Sequence, residues 1–271
     1  MSLVSTSWLE NNLNEVKIFD CSWHMPATKR DGYKEYIKEH INNAIFFDLD
    51  QNSDQNTDLP HMLVNKNLWE KIISSMGVSN DDRIIIYDNS DVLSSCRLWY
   101  NLIYYGHSPK LVHVLDGGLK KWKNENRKLT SLPTKNINSQ YRAKEIKSLV
   151  KNKNEINENI LKNKFKLVDA RSEERFYGRI KEPRAGLGSG SIPKSLCLPY
   201  KHLISQDNTF KNKNDILNIF KQILGEDMST NVIFSCGSGI TASVLALAYS
   251  LINNKYMPII YDGSWAEYGK I

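Results

Sequence analysis

Val232-Ile233-Phe234-Ser235-Cys236-Gly237-Ser238-Gly239 is the stretch that decides the fold. Its apolar start predicts a buried strand, and the apolar run from Ala242 to Ile252 that follows it predicts a helix. A matching strand, Arg83-Ile84-Ile85-Ile86-Tyr87-Asp88, lies about one half-chain earlier. Short strands rich in β-branched residues that alternate with helices are typical of a parallel sheet.

Three further pairs of segments repeat at a similar spacing. They are Val16 to Asp20 with Lys166 to Asp169, His40 to Ile45 with Ser191 to Leu196, and Val112 to Gly118 with Pro258 to Ser264. The repeat predicts two homologous α/β domains, each a small parallel sheet covered by helices on both faces. We predict a first domain over residues 1–130, a Lys/Asn-rich linker over 131–160 with a helix that spans 144–150, and a second domain over 161–271.

Charge and hydropathy argue against two classes of partner. The 271-residue chain has a formal charge of +6, and this excess is too small and too scattered to predict nucleic-acid binding. The Lys/Asn-rich segment is interpreted as a solvated linker. No apolar run reaches the roughly 18 residues of a membrane helix, and no secretory signal follows Met1. We therefore expect a cytoplasmic protein with no membrane partner.

Cys236 is the strongest candidate for a catalytic side chain. It follows a predicted buried strand and precedes a predicted helix, so it lies at the carboxyl edge of the sheet, where open α/β folds bind ligands. Backbone N–H groups of a two-glycine loop and a helix N-terminus lower a cysteine pKa from about 8.5 to roughly 3.5–7.5, which yields a thiolate nucleophile. The matched residue Asp88 carries no thiol. Cys21, Cys96 and Cys197 are interpreted as packing residues.

Spacing argues against three other chemistries at this loop. A cysteine phosphatase needs an arginine six positions after the cysteine, and that position is Ala242. The pattern Gly237-x-Gly239-x-x-Ala242 fits a loose dinucleotide fingerprint, but too few residues follow it to complete such a domain, and no Walker loop occurs. The four cysteines form no C-x-x-C pair. We therefore predict no metal and no organic cofactor.

Several motifs resemble those of the sulfurtransferase family with tandem rhodanese-like domains. They are Asp20-Cys21-Ser22-Trp23, His40 to Asp48, His61-Met62-Leu63, Leu115-Asp116-Gly117-Gly118 and Tyr261-Asp262-Gly263-Ser264-Trp265. The loop Cys236-Gly237-Ser238-Gly239-x-Thr241-Ala242 is similar to that of the 3-mercaptopyruvate sulfurtransferases. The thiosulfate enzymes of the family instead have a basic Cys-Arg-Lys-Gly-x-Thr loop, which suits a dianionic substrate.

The resemblance implies a reaction in two halves. The Cys236 thiolate would attack the sulfur of 3-mercaptopyruvate, release pyruvate and keep a persulfide. An acceptor would then remove the sulfur; thioredoxin, a small thiol or cyanide would each serve. Backbone N–H groups of a six-residue ring, with Gly237, Gly239, Ile240 and Thr241 beside Cys236, would hold the persulfide.

The resemblance also assigns the residues that would bind and protonate the substrate. Arg175 and Arg184 would bind the planar carboxylate and carbonyl of a 2-oxo acid. The alternative for either arginine is an ion pair with a nearby acid, namely Glu173, Glu174 or Glu182.

A proton relay proposed for the family maps onto Ser238, His61 and Asp50. The mapping places the active site in a cleft between the domains, with His61 and Asp50 contributed by the first domain. The alternative is that His61 is only a structural hydrogen-bonding residue and that Ser238 is only a helix cap.

Two other functions remain open from the sequence. The first is a thiosulfate:cyanide sulfurtransferase, against which the uncharged loop argues. The second is a persulfide relay or binding module that turns over no free donor, against which the pair Arg175 and Arg184 argues because such a module has no need to bind a carboxylate.

Overall fold

A computed structural model describes residues 2–135, 137–226, 228 and 231–271. It divides the chain into two compact units. Unit 1 comprises Met1–Asp54, Leu63–Ile146 and Gln206–Phe210, and unit 2 comprises Gln55–Met62, Lys147–Ser205 and Lys211–Ile271. Each unit therefore contains one short segment from the opposite half of the sequence.

Unit 1 is built on a parallel sheet with the strand order β1-β5-β4-β2-β3. Its strands are β1 (Leu3–Val4), β2 (Lys17–Asp20), β3 (Ala44–Phe46), β4 (Ile84–Tyr87) and β5 (Val112–Leu115). Its helices are α1 (Thr6–Glu10), α2 (Gly32–Lys38), α3 (Lys66–Ser75), α4 (Ser95–Tyr104) and α5 (Gly118–Asn124), with a 3₁₀ turn at Pro26–Thr28.

Unit 2 repeats this topology with the order β6-β10-β9-β7-β8. Its strands are β6 (Val150–Lys151), β7 (Lys166–Asp169), β8 (Leu196–Cys197), β9 (Val232–Ser235) and β10 (Ile260–Tyr261). Its helices are α6 (Lys153–Lys162), α7 (Glu173–Phe176), α8 (Lys213–Leu224), α9 (Ile240–Ile252) and α10 (Ser264–Tyr268), with 3₁₀ turns at Lys147–Leu149 and Tyr200–Leu203.

The central strands explain why both faces of each sheet are covered. All four residues of β4 and all four of β9 are buried, so side chains pointing to either face contact a helix layer rather than water. The predicted α/β fold with two parallel sheets flanked by helices is confirmed.

An aspartate at the end of β2 in unit 1, and another at the end of β7 in unit 2, organises the loop that follows the strand. In unit 1 the Asp20 carboxylate accepts the backbone N–H of Ser22 at 2.9 Å, and in unit 2 the Asp169 carboxylate accepts that of Arg171 at 2.9 Å. Such a side-chain turn stops the strand and aims the following loop along the carboxyl edge of the sheet. This loop in unit 2 leads to α7.

The segment predicted as a linker contains regular structure that belongs to unit 2. The predicted helix over 144–150 is only a 3₁₀ turn, Lys147–Leu149, followed directly by β6. The first α-helix of this segment begins later, at Lys153, where Asn152 and Glu155 form a reciprocal capping box. The domain ranges 1–130, 131–160 and 161–271 stay a prediction.

Candidate active site

Cys236 lies between β9 and α9, with 2% of its surface exposed. Gly239 caps α9 with a φ of +81°, a conformation that glycine adopts without steric cost. The first N–H groups of a helix have no partner within the helix and carry a partial positive charge. A thiolate at the start of α9 is therefore placed where negative charge is stabilised.

Residues after β10 hold this loop in place. The backbone N–H of Cys236 donates to Ser264 Oγ at 3.1 Å. In return, the N–H of Trp265 donates to the Cys236 carbonyl and that of Ala266 to the Gly237 carbonyl, both at 2.9 Å. Ser264 is a functional residue that the sequence patterns did not single out, although the repeat aligns it with Gly118. In the structure this serine has a left-handed φ of +48°.

Arg175 and Arg184 both reach the loop. Arg175 is on α7, Arg184 follows it along the chain, and both face Gly237. A Cβ placed on Gly237 would lie 3.2 Å from Arg175 Nη2 and 3.7 Å from Arg184 Nη1. The two guanidinium groups therefore lie beside the residue that follows Cys236, and the missing side chain of Gly237 leaves room for them.

Each arginine also contacts a protein side chain. Arg175 forms the ion pair that was the alternative to substrate binding, since its Nε and Nη2 donate to Glu182 at 3.1 and 2.6 Å. Arg184 Nη2 donates to Ser238 Oγ at 3.4 Å. Both arginines are thus oriented by protein groups while their guanidinium planes stay beside Gly237.

His61 lies in unit 2, whereas the family resemblance implied that the first domain contributes it. Its Nδ1 lies 3.0 Å from Ser238 Oγ, a buried hydrogen bond between residues far apart in sequence. Two of the three predicted relay residues are therefore in contact. Asp50 lies in unit 1, where its carboxylate accepts the indole N–H of Trp23 at 2.9 and 3.0 Å, so its role beside His61 stays a prediction.

The remaining predicted residues lie along the same loop and helix. Ile240 and Thr241 are the first two residues of α9, and Ile240 is buried.

The other three cysteines are not activated. Cys21 and Cys96 are buried, and burial raises the pKa of each thiol well above its usual range. Burial likewise raises the pKa of the Cys197 thiol to about 12, so that thiol stays protonated at neutral pH.

Across residues 2–135, 137–226, 228 and 231–271, no three His, Cys, Asp or Glu side chains come together to hold a metal ion. Within those same residues no helix has the length and apolar character needed to cross a membrane.

The rhodanese-like domain model matches residues 5–125 and 152–270. The chain belongs to the rhodanese-like family. It is 34% identical over 275 residues to 3-mercaptopyruvate sulfurtransferase of Homo sapiens, with 98% of this chain and 91% of that one covered. It is 33% identical over 276 residues to thiosulfate sulfurtransferase of Rattus norvegicus, with the same coverage of 98% and 91%.

Solved structures agree with this assignment. Tum1 from Saccharomyces cerevisiae superposes with a TM-score of 0.88 at 27% identity, over 99% of this chain and 94% of that one. SseA from Escherichia coli, a 3-mercaptopyruvate sulfotransferase, superposes with a TM-score of 0.83 at 28% identity, over 98% and 100%. The predicted resemblance is confirmed, and the chain is an enzyme, a sulfurtransferase of the rhodanese-like family.

Proposed function

We propose that this sulfurtransferase moves sulfur from 3-mercaptopyruvate to a thiol acceptor, or to cyanide, through a persulfide on Cys236. The observation that carries the proposal is the pair of guanidinium groups of Arg175 and Arg184 beside Gly237, next to a loop with no charged side chain of its own. A small 2-oxo acid offers a planar carboxylate and a carbonyl, and a guanidinium donates two parallel N–H groups to such a pair of oxygens.

In the first half-reaction the Cys236 thiolate attacks the substrate sulfur. A bond forms between the two sulfur atoms, the bond between carbon and sulfur breaks, and its electron pair leaves as the enolate of pyruvate. The enolate carbon takes up the proton that the substrate thiol loses. The products are pyruvate and a Cys236 persulfide anion, which the N–H groups at the start of α9 stabilise.

In the second half-reaction an acceptor thiolate attacks the outer sulfur of the persulfide. The bond between the two sulfur atoms breaks, its electron pair returns to Cys236, and the acceptor leaves as its own persulfide. With cyanide as acceptor the product is thiocyanate. This ping-pong scheme needs no oxidant or reductant, because the sulfur brings its oxidation state from the donor.

His61 and Ser238 have the geometry to move the proton of the first half-reaction. The hydrogen bond of 3.0 Å joins His61 Nδ1 to the hydroxyl of Ser238, which is two positions after Cys236. A neutral imidazole can both accept and donate a proton. Arg184, which donates to the same Ser238 hydroxyl, would keep that hydroxyl oriented. The relay would carry the proton from the substrate thiol to the enolate carbon.

Replacing His61 by asparagine is expected to lower kcat about 10²-fold with little change in KM. His61 has a φ of +62°, and asparagine tolerates this left-handed conformation and still hydrogen-bonds to Ser238, but it does not titrate. Steady-state pyruvate release over a range of 3-mercaptopyruvate concentrations checks both constants. A His61→Asn enzyme with unchanged kcat would make His61 a structural residue.

Donor choice tests the proposed substrate. Pyruvate release from 3-mercaptopyruvate with a thiol acceptor is compared with thiocyanate formation from thiosulfate and cyanide, and we expect kcat/KM to favour 3-mercaptopyruvate at least about tenfold. A preference for thiosulfate would not affect the fold or the role of Cys236 as nucleophile, but it would make the protein a thiosulfate sulfurtransferase, the other activity named among its relatives. Turnover of neither donor would favour the persulfide relay or binding module.

The acceptor and the cellular location remain predictions from the sequence. A thiol such as thioredoxin or a small thiol is the proposed acceptor, because a thiolate attacks a persulfide directly. The cytoplasm is the proposed location, and neither a nucleic acid nor a membrane is proposed as a partner.

A further inference from the structure

Near the loop of Cys236, unit 2 contains a cluster of four charged side chains. They alternate in sign and run in the order Asp169, Arg171, Glu182 and Arg175. The side chains of the first three are at most 1% exposed, and that of Arg175 is 21% exposed. The cluster therefore extends from the protein interior to the guanidinium group of Arg175 beside Gly237.

Arg171 is the fixed point of this cluster. Its Nη2 donates to Asp169 at 2.7 Å and to the Gly190 carbonyl at 2.9 Å. Its guanidinium also lies 4.5 Å from the ring centre of Trp265, whose backbone N–H holds the Cys236 carbonyl. Since Arg171 is fully buried and held from several sides, it cannot swing toward a substrate.

Glu182 joins the buried arginine to the exposed one. One carboxylate oxygen accepts Arg171 Nη1 at 2.9 Å and Arg175 Nε at 3.1 Å, and the other accepts Arg175 Nη2 at 2.6 Å. This two-pronged contact fixes the plane of the Arg175 guanidinium. It also places a full negative charge directly behind that guanidinium.

The four charges cancel, because two guanidinium groups meet two carboxylates. Arg175 therefore offers directed N–H groups to a ligand with little net positive field. Arg184, which donates to Ser238, is not part of this cluster. Charges with so little exposure are weakly screened by salt, so the loss of one of them changes the electrostatic potential at neighbouring groups.

We infer that Glu182 is a specificity-determining residue that keeps the donor site suited to a monoanion and selects against a dianion. This inference rests on the proposed function, in which the donor carries one carboxylate. Thiosulfate carries two negative charges, and a site with one more positive charge would favour it. Glu182 acts through Arg175 and is a positioning residue rather than a catalytic one.

Alkylation of Cys236 measures the charge at the site without any sulfur donor. Iodoacetate is an anion and iodoacetamide is neutral, and both react with a thiolate in the same displacement of iodide. We expect the rate ratio of iodoacetate to iodoacetamide to rise roughly threefold to tenfold in Glu182→Gln. The rates are read by mass spectrometry of the peptide that contains Cys236, which separates this thiol from the other cysteines. Cys197 in addition reacts slowly, because its pKa of about 12 keeps it mostly protonated.

Three further variants separate charge from shape. Glu182→Asp keeps the charge and shortens the side chain, so its ratio should stay near the wild-type value. Glu174→Gln removes the same charge from an exposed position on α7 and should also leave the ratio unchanged. Arg175→Gln should lower the ratio, and because Arg175 is partly exposed this variant tests the inference even where Glu182→Gln fails to fold.

The inference is overturned by either of two results. One is an alkylation ratio in Glu182→Gln, or in Arg175→Gln where the first variant does not fold, within about twofold of wild type. The other is a larger change in Glu182→Asp than in Glu182→Gln, which would make the role of Glu182 steric.

Donor kinetics then extend the test to turnover. In Glu182→Gln the ratio of kcat/KM for thiosulfate to that for 3-mercaptopyruvate should rise by a similar factor, whereas a purely structural role would lower both values together. If the wild-type enzyme does not use 3-mercaptopyruvate, the proposed function fails, and the alkylation ratio still decides whether Glu182 controls the charge at Cys236.

Discussion

Replacing Cys236 by serine is expected to abolish sulfur transfer, with kcat/KM falling at least about 10⁴-fold. A serine hydroxyl at the start of α9 is almost fully protonated at neutral pH, and it cannot form the persulfide on which both half-reactions depend. The measurement is pyruvate release from 3-mercaptopyruvate. Mass spectrometry of the enzyme after donor addition without acceptor should show the mass gain of one sulfur atom in the wild type only.

Cys197→Ser is the matched control for this variant. Cys197 is the last residue of β8, at the carboxyl edge of the same sheet, but its raised pKa of about 12 keeps the thiol protonated. We expect the control to keep its activity and its mass gain. Activity retained in Cys236→Ser, or lost in Cys197→Ser, would move the nucleophile to another residue.

Unit 1 provides an internal comparison for the anion-binding loop. Asp88 occupies the position of Cys236, and its carboxylate accepts the backbone N–H groups of Ser90 at 2.9 Å and of Ser95, the first residue of α4, at 2.8 Å. The same strand-to-helix connection in unit 1 therefore directs its N–H groups at a carboxyl group that is part of the protein and whose pKa is raised by burial. In unit 2 the position carries a thiol instead, so the N–H groups of the loop are available to a sulfur anion.

A second pair of matched residues, Gly118 and Ser264, explains why a side-chain hydroxyl supports the loop in unit 2 only. Gly118 and Ser264 both have a left-handed φ, of +56° and +48°. A Cβ on Gly118 would lie 2.6 Å from the Asp88 carbonyl, so unit 1 needs glycine there. Unit 2 accepts the cost of a left-handed serine because the hydroxyl of Ser264 binds the Cys236 backbone.

The sequence predicted those features that depend on local pattern and on the repeat. Strand β9, the loop from Cys236 to Gly239 and helix α9 follow from an apolar run, two glycines and a second apolar run. These are consequences of side-chain periodicity and of the fixed geometry of a parallel sheet. The role of Arg175 was implied only by the family resemblance, and its place on α7, after β7, accounts for its position at the same edge of the sheet as Cys236.

Features that depend on distant segments were not predictable in this way. Residues 55–62 belong to unit 2 although they precede most of unit 1 in sequence, and this placed His61 beside Ser238 by a route that the repeat does not indicate. For Arg175 the sequence offered substrate binding or an ion pair as alternatives. The contact with Glu182 leaves the guanidinium beside Gly237, so the ion pair and a ligand do not compete for the same edge.

Replacing Arg184 by glutamine is expected to lower kcat/KM for 3-mercaptopyruvate about 10³-fold, mainly through KM. Two charge-assisted hydrogen bonds to a carboxylate contribute together about 4 kcal/mol, which corresponds to that factor. Arg184→Lys keeps the charge but not the paired N–H groups, so it should recover only part of the loss.

The control for this variant is Arg179→Gln, an exposed arginine that lies over the ring of Tyr177 and should have no effect on kcat/KM. The alkylation rate of Cys236 by neutral iodoacetamide should fall by no more than about threefold in Arg184→Gln, because the loss of a nearby cation disfavours the thiolate only modestly. A loss of alkylation rate as large as the loss of kcat/KM would mean that Arg184 acts on the thiolate, and an unchanged KM would remove Arg184 from substrate binding. A raised KM together with a nearly normal alkylation rate is the combination that only a carboxylate-binding arginine produces.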